Sequence, residues 1–238
     1  MAQRRAILHD MRELKLQRGI DAATQHLYHL DHLIPYLSEQ RFKTESGEYH
    51  CHRLEINQFS NFTSARQLYD TFVDFLYHTA ENVTAGLGQL ALREDSDDKV
   101  NDSRTIWHHR IVTIEDDVGC TEELNSVGFA EFYDYSPRTA SPMGIVVYDT
   151  VNVDDLYPYI PEERTSKDVQ AAHMVFEVRS PDSDDVIVVL KQCLFCVQLV
   201  PQFDLAPQAL DQLQRNSTRW CAYIIKYLRE YVPTDGRV

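Results

Sequence analysis

The chain lacks a long apolar run, an excess of basic charge and a paired set of cysteines, and each shortage removes a class of protein. No unbroken apolar stretch, residues 186–190 for example, approaches the roughly 20 residues of a membrane-spanning helix, and residues 1–15 hold no run of signal-peptide length. A cytoplasmic or nuclear location is expected. Thirty-seven acidic side chains against 23 basic ones give a formal net charge of −14, which repels a phosphate backbone or an anionic bilayer over most of the surface. Only Arg4, Arg5, Arg12, Lys15 and Arg18 make a short basic arm, so nucleic-acid binding by this chain alone is not expected. Five cysteines are an odd, sparse set that reads as reduced thiols, and the sequons at Asn61, Asn82, Asn101 and Asn216 then go unused. Walker, Gly-x-Ser-x-Gly and His-Glu-x-x-His motifs are missing, which leaves nucleophilic and metal-assisted hydrolysis without sequence support.

What is present is best organised at the C-terminal end. Residues 169–178 and 186–200 are dense in β-branched and aromatic side chains and are separated by the turn-forming residues 180–185, which predicts a long hairpin. Asp204 is placed to cap a helix running to about Tyr231. Its apolar face is Leu210, Leu213, Trp220, Ile224, Tyr227, Leu228 and Tyr231, at steps of three and four. Upstream, helices are predicted over 4–18 and 21–41, the second kinked by Pro35, then a strand over 49–59. Ser64-Ala65-Arg66-Gln67 forms a capping box for a helix that buries Leu68, Tyr69, Phe72, Leu76 and Ala80, and Gly86 and Gly88 end it. Strands follow at 89–93, 104–114, 124–133 and 144–153. Polar connections over 94–103 and 115–123 suit an antiparallel meander. The reading is an α+β chain with a helical N-terminal extension over 1–45 and one domain over 46–238.

This order, a curved antiparallel sheet wrapped around a long terminal helix, resembles the START-like helix-grip superfamily. The strings Phe62-Thr63-Ser64-Ala65-Arg66-Gln67-Leu68-Tyr69-Asp70, Arg93-Glu94-Asp95 and Asp154-Asp155-Leu156-Tyr157-Pro158-Tyr159-Ile160-Pro161-Glu162-Glu163-Arg164 are similar to those of an oomycete family described as mating-specific or START-like. The resemblance covers about residues 50–231 and implies a cavity for a lipid or other hydrophobic small molecule. Members often have a basic leucine-zipper-like segment before the domain. Here only Ile7, Met11 and Leu14 stand at heptad spacing, too few to dimerise alone, although the N-terminal helices could meet a protein partner.

A helix laid over a curved sheet leaves a tunnel where facing side chains fall short. The expected lining is Trp107 on an early strand, Met174, Phe176 and Phe195 on the hairpin, and Trp220, Tyr223, Ile224 and Tyr227 on the helix, although large apolar residues mostly serve as core. Among the polar strand residues His109, Arg110, Glu131, His173, Glu177 and Lys191, those that point inward need partners and could orient a head group; His109 and His173 are the expected ligand contacts. Neither a metal nor a cofactor is expected. His26, His29 and His32 drift around a helix, His50-Cys51-His52 offers one pair on a strand, and Cys193 and Cys196 point to opposite faces. Asp95, Asp97 and Asp98 lack the glycine and terminal glutamate of a calcium loop. Gly86-Leu87-Gly88-Gln89-Leu90-Ala91 has dinucleotide-fingerprint spacing but joins a helix to a strand, the reverse of a phosphate-cradling turn. Three readings follow: a non-catalytic binder of a hydrophobic molecule, a regulatory interaction module with a closed core, and a cyclase-like enzyme using His109, His173 or Glu131 as acid or base.

Overall fold

Successive side chains of a strand point to opposite faces of its sheet, and in this protein both faces are buried. The computed structural model describes residues 2–27, 30–93, 106–115, 119–181, 183 and 185–232. In chain order the elements are α1 (Ala2–Leu27), β1 (Tyr36–Lys43), β2 (Tyr49–Phe59), α2 (Ala65–Tyr77), α3 (Thr79–Leu87), β3 (Leu90–Arg93), β4 (Ile106–Glu115), β5 (Cys120–Ser136), β6 (Ser141–Thr150), β7 (Thr165–Arg179), β8 (Val186–Gln198) and α4 (Pro207–Glu230). The strands form one sheet in the order β1-β2-β8-β7-β6-β5-β4-β3, all neighbours antiparallel, with a short parallel contact between β5 and β7.

The sheet's inner face is covered by α2, α3 and α4, where Phe59, Phe72, Phe75, Leu190, Ile224 and Leu228 are buried together. Its outer face is covered by α1, which sets Leu16, Ile20, Ala23 and Leu27 against Phe129, Ile145, Met174 and Phe176. Each large apolar side chain so buried contributes about 1.5–3 kcal/mol, so the helical extension is a full partner in the core. The Ser64 hydroxyl accepts the Gln67 N–H at 3.2 Å, and the Gln67 side chain reaches back to the Thr63 N–H at 2.9 Å, one residue earlier than in the standard box.

Several boundaries differ from the sequence reading. The helix expected over 21–41 ends at Leu27, and Pro35 kinks nothing. It precedes β1, consistent with the extended backbone that proline imposes on its neighbours, and β1 pairs along its length with β2 from Tyr36 opposite Ile56 to Lys43 opposite Tyr49. Asp204 does not cap α4. The helix begins with Pro207 in its first turn and Ala206 at the cap position, without a side-chain bond. Gly86 does not stop α3, which continues to Leu87 with Gly88 as its left-handed cap. Instead, Gly86 admits the Tyr223 ring, which a Cβ there would meet at 2.0 Å. Residues 120–123, read as connection, belong to β5, while the connection read at 94–103 lies outside the described residues. Asn61 and Asn82 have structural work: Asn61 Nδ2 donates to the Leu228 and Tyr231 carbonyls at 2.9 Å each, and Asn82 Nδ2 donates to Phe75 O at 2.8 Å.

Residues 154–164 lie against the outer face of β4 and β5. Arg110 donates two hydrogen bonds to Glu123 across the strand pair, at 3.0 and 2.9 Å, and Arg164 adds a third at 3.1 Å. Tyr157 covers the Arg110 guanidinium at 5.4 Å, and the Tyr159 hydroxyl donates to Arg164 O at 2.7 Å. Glu123 is thus a buried carboxylate between two guanidiniums, and removing it takes a close counter-charge from both. Glu123→Ala should cost about 3–5 kcal/mol, measured by urea unfolding, whereas a loss near that of an exposed ion pair would contradict this reading.

Candidate ligand-binding cavity

The β4–β5 register aligns three inner-facing pairs: His109 opposite Ser126, Ile111 opposite Leu124 and Thr113 opposite Glu122. Across from them β7 presents Lys167, Val169, Ala171 and His173, and β8 presents Leu194 and Cys196. Leu76, Val83 and Leu87 from α2 and α3, with Asn216, Trp220, Cys221 and Ile224 from α4, form the roof. Elsewhere on this face phenylalanines reach between sheet and helix, but here Ser126, Ala171, Cys196 and Cys221 are too short to meet. They leave a cavity of about 120 Å³. An engineered apolar cavity of about 150 Å³ takes benzene, and drug-sized pockets run from about 300 Å³, so this space suits a compact molecule.

The cavity is apolar in the middle and polar at its two ends. At the inner end, His109 is 1% exposed and Ser126 2% exposed, and neither the two ring nitrogens nor the hydroxyl has a hydrogen-bond partner among the described residues. Buried polar groups of this kind are completed by water or by a bound molecule. Burial, with Arg93, His108 and His78 nearby, pushes the His109 imidazole down to about 3, so the ring is neutral at ordinary pH. His173 is likewise pushed down to about 3 by burial, and its Nδ1 meets the Gln192 amide nitrogen at 3.0 Å. The Tyr148 hydroxyl is already satisfied: it accepts from Trp107 Nε1 at 2.8 Å and donates to Leu76 O at 3.3 Å. At the other end Lys167 Nζ bonds Glu122 Oε2 at 2.5 Å, leaving Glu122 Oε1 buried without a partner.

Of the expected ligand residues, His109, His173, Trp220 and Ile224 line this cavity. Trp107, Tyr223 and Tyr227 share the inner face but belong to the packing beside it: Trp107 lies over Gly128, where a Cβ would meet its ring at 2.2 Å, and Tyr223 and Tyr227 pack at a tilt against Phe75. Met174, Phe176 and Phe195 require correction. The two-residue period gives the inner face to His173, Val175 and Leu194, so these three lie on the outer face beneath α1. Glu131 also faces outward, accepting from the Tyr133 hydroxyl at 3.0 Å, so it does not join the histidines. His109 and His173 line one cavity without bonding each other. Sequence reasoning missed Ser126 and Glu122. The available signal was polarity at alternate positions of one strand, but it acquires meaning only through the register with β4.

The remaining histidine candidates pack against phenylalanines. His26 and His52 contact Phe195, and His50 stacks on Phe42. Among the described residues no group of three or more His, Cys, Asp or Glu could hold a metal ion. His29, Asp95, Asp97, Asp98 and Asn101 lie outside the described residues. Cys193 and Cys196 sit on opposite faces of β8, and all five cysteines are buried thiols outside any disulfide. No helix among the described residues is long and apolar enough to cross a membrane.

A curved antiparallel sheet gripping its C-terminal helix, with a further helix at the N-terminus, defines an α+β helix-grip fold of the START-like kind. No family model matches the chain, and no curated protein matches it. Among solved structures it is similar to the human StarD13 (DLC2) lipid transfer and protein localization domain, at 7% identity and a TM-score of 0.43, covering 92% of this chain and 96% of that one. Human STARD10 is similar at 9% identity and a TM-score of 0.44, covering 87% and 78% respectively. Ara h 8.0201 is similar at 8% identity and a TM-score of 0.29, covering 76% and 98%. Likenesses at these scores say nothing about a ligand, and the functional reading rests on the cavity itself.

The two buried imidazoles link stability to pH. Their folded values near 3 lie below the 6.5 of an exposed ring, so unfolding takes up protons as the pH falls. The stability they contribute is whole above about 6.5 and is lost progressively toward 3, by up to about 1.4 kcal/mol per pH unit for each ring. Urea unfolding between pH 7 and pH 4 should show this loss, and His173→Gln and His109→Gln should each flatten it. An unchanged slope in both variants would contradict neutral burial.

Proposed function

We propose that the chain is a non-catalytic binder of a compact, mainly apolar molecule with one neutral hydrogen-bonding group, held between the sheet and α4. The observation that carries this reading is the cross-strand pair of His109 and Ser126, buried and unpartnered at the end of an apolar cavity. A neutral imidazole and a hydroxyl together donate and accept, which suits an alcohol, phenol or carbonyl. Val83, Ile111, Leu124, Val169, Leu194 and Trp220 would enclose the apolar body. A two-chain lipid exceeds this volume unless α3 and α4 part from the sheet. Residues 62–70 and 154–164 support, as a further part of this reading, kinship with the oomycete mating-specific or START-like family.

Native mass spectrometry of the purified chain, before and after exposure to a total lipid extract, tests the proposal. A discrete added mass smaller than a two-chain lipid is expected. Combining Ser126→Val with His109→Phe should weaken its binding by about tenfold or more, since each lost hydrogen bond to a buried partner is worth about 1–3 kcal/mol. A bare chain mass under every condition, or binding indifferent to these substitutions and to Trp220→Ala, would overturn it.

A further inference from the structure

The outer face carries a second hollow, of about 570 Å³, where the end of α1, the turn between β5 and β6, and strands β7 and β8 meet. Its apolar wall is Met174, Phe176, Val178 and Val186. Lys191 enters this wall from β8, directly opposite Met174 on β7, and is 3% exposed. Its amine donates one hydrogen bond, to Leu27 O at 3.3 Å, and stands 5.7 Å from the centroid of the Phe176 ring. An ammonium has three donors, so two of them are unmatched, and no carboxylate lies within ion-pair reach of it among the described residues. Burial pushes this amine down to about 8, which still leaves it mostly charged at neutral pH.

A second polar group points to the same place. His32 meets Phe176 edge-on at 5.2 Å and lines the hollow with a buried Nδ1 that has no partner. Arg138 and Arg179 also line it. Its acid, Glu177, is held by the Ala65 N–H at 2.8 Å, and Arg138 is paired with Asp21 at 2.9 Å. In a chain of formal charge −14, a hollow with this balance runs against the overall field.

We propose that this hollow binds an amphipathic monocarboxylate. The carboxylate would accept from Lys191 and from His32 in its Nδ1–H tautomer, and the chain would lie over Met174, Phe176, Val178 and Val186. A single deeply buried cation against an apolar wall favours a singly charged head group with a hydrocarbon body over a phosphate, which would bring more charge than Lys191 can match. The site lies on the opposite side of the sheet from the cavity at His109 and does not depend on that cavity being occupied.

Octanoate is a suitable probe, titrated into the full chain by calorimetry with octanol as the uncharged control. Octanoate should keep its affinity in the chain carrying Ser126→Val and His109→Phe, where octanol, an alcohol suited to the inner cavity, should not bind. Lys191→Met should weaken octanoate by at least about tenfold, the worth of a hydrogen bond to a charged group, without loss of stability, because methionine replaces an unpaired buried charge with a similar apolar shape. Ser126→Val should leave octanoate binding unchanged, which separates this site from the inner cavity. Nuclear Overhauser contacts from octanoate methylenes to Met174 and Phe176 in the unmodified chain give an independent reading should Lys191→Met fail to fold. Absence of octanoate binding at millimolar concentration, octanol binding equal to that of octanoate in the chain carrying Ser126→Val and His109→Phe, undiminished affinity in a folded Lys191→Met chain, or contacts to inner-cavity residues instead would each overturn the proposal.

Discussion

The structure depends on a sheet that is buried on both sides. Because neighbouring residues of a strand diverge, the central strands supply two cores at once: Val175 serves the one beneath α2 and α4, and Met174 and Phe176 serve the one beneath α1. A shift of one residue in any register would exchange the two sets and send His173 toward α1 and Met174 into the cavity. The long registers of β2 with β8 and β7 with β8 guard against such a slip, since so many paired positions would have to be rebuilt together.

Double burial also explains what was legible. The C-terminal hairpin, the helix face through Ile224 and Leu228, and the capping box at Ser64 were readable because each has a local signature: a turn between β-branched runs, a step of three and four, and a side chain that finds its own backbone. The edge strand β1 was not. Ile34 and Leu37 stand at a helical step, Leu37 and Phe42 are exposed, and only pairing with β2 makes these residues extended. The lining was read in part for a related reason. Residues 171–176 are apolar on both faces, apart from His173, so period two says that Met174 and Phe176 share a side without saying which side the terminal helix occupies.

The cavity is a consequence of residue size more than of fold. Where Phe72 and Phe75 extend from α2, the space between sheet and helix is closed, and where the short side chains of Ser126, Ala171, Cys196 and Cys221 face it, it is open. A serine within a strand carries no message in isolation. Placed opposite a histidine with two unmatched nitrogens, it becomes half of a polar station, and this is information of the register and not of the local sequence.

The two ends of α4 are held very differently. At its C-terminal end, Asn61 ties down the carbonyls of Leu228 and Tyr231, and Arg229 donates to Asn57 Oδ1 at 2.9 Å. At its N-terminal end no side chain caps the first turn, and Ala209 and Leu213 are its buried apolar anchors. The N-terminal half supplies Asn216, Trp220 and Cys221 to the roof of the cavity, so the part of the helix without a side-chain cap is also the part that closes the space over the sheet.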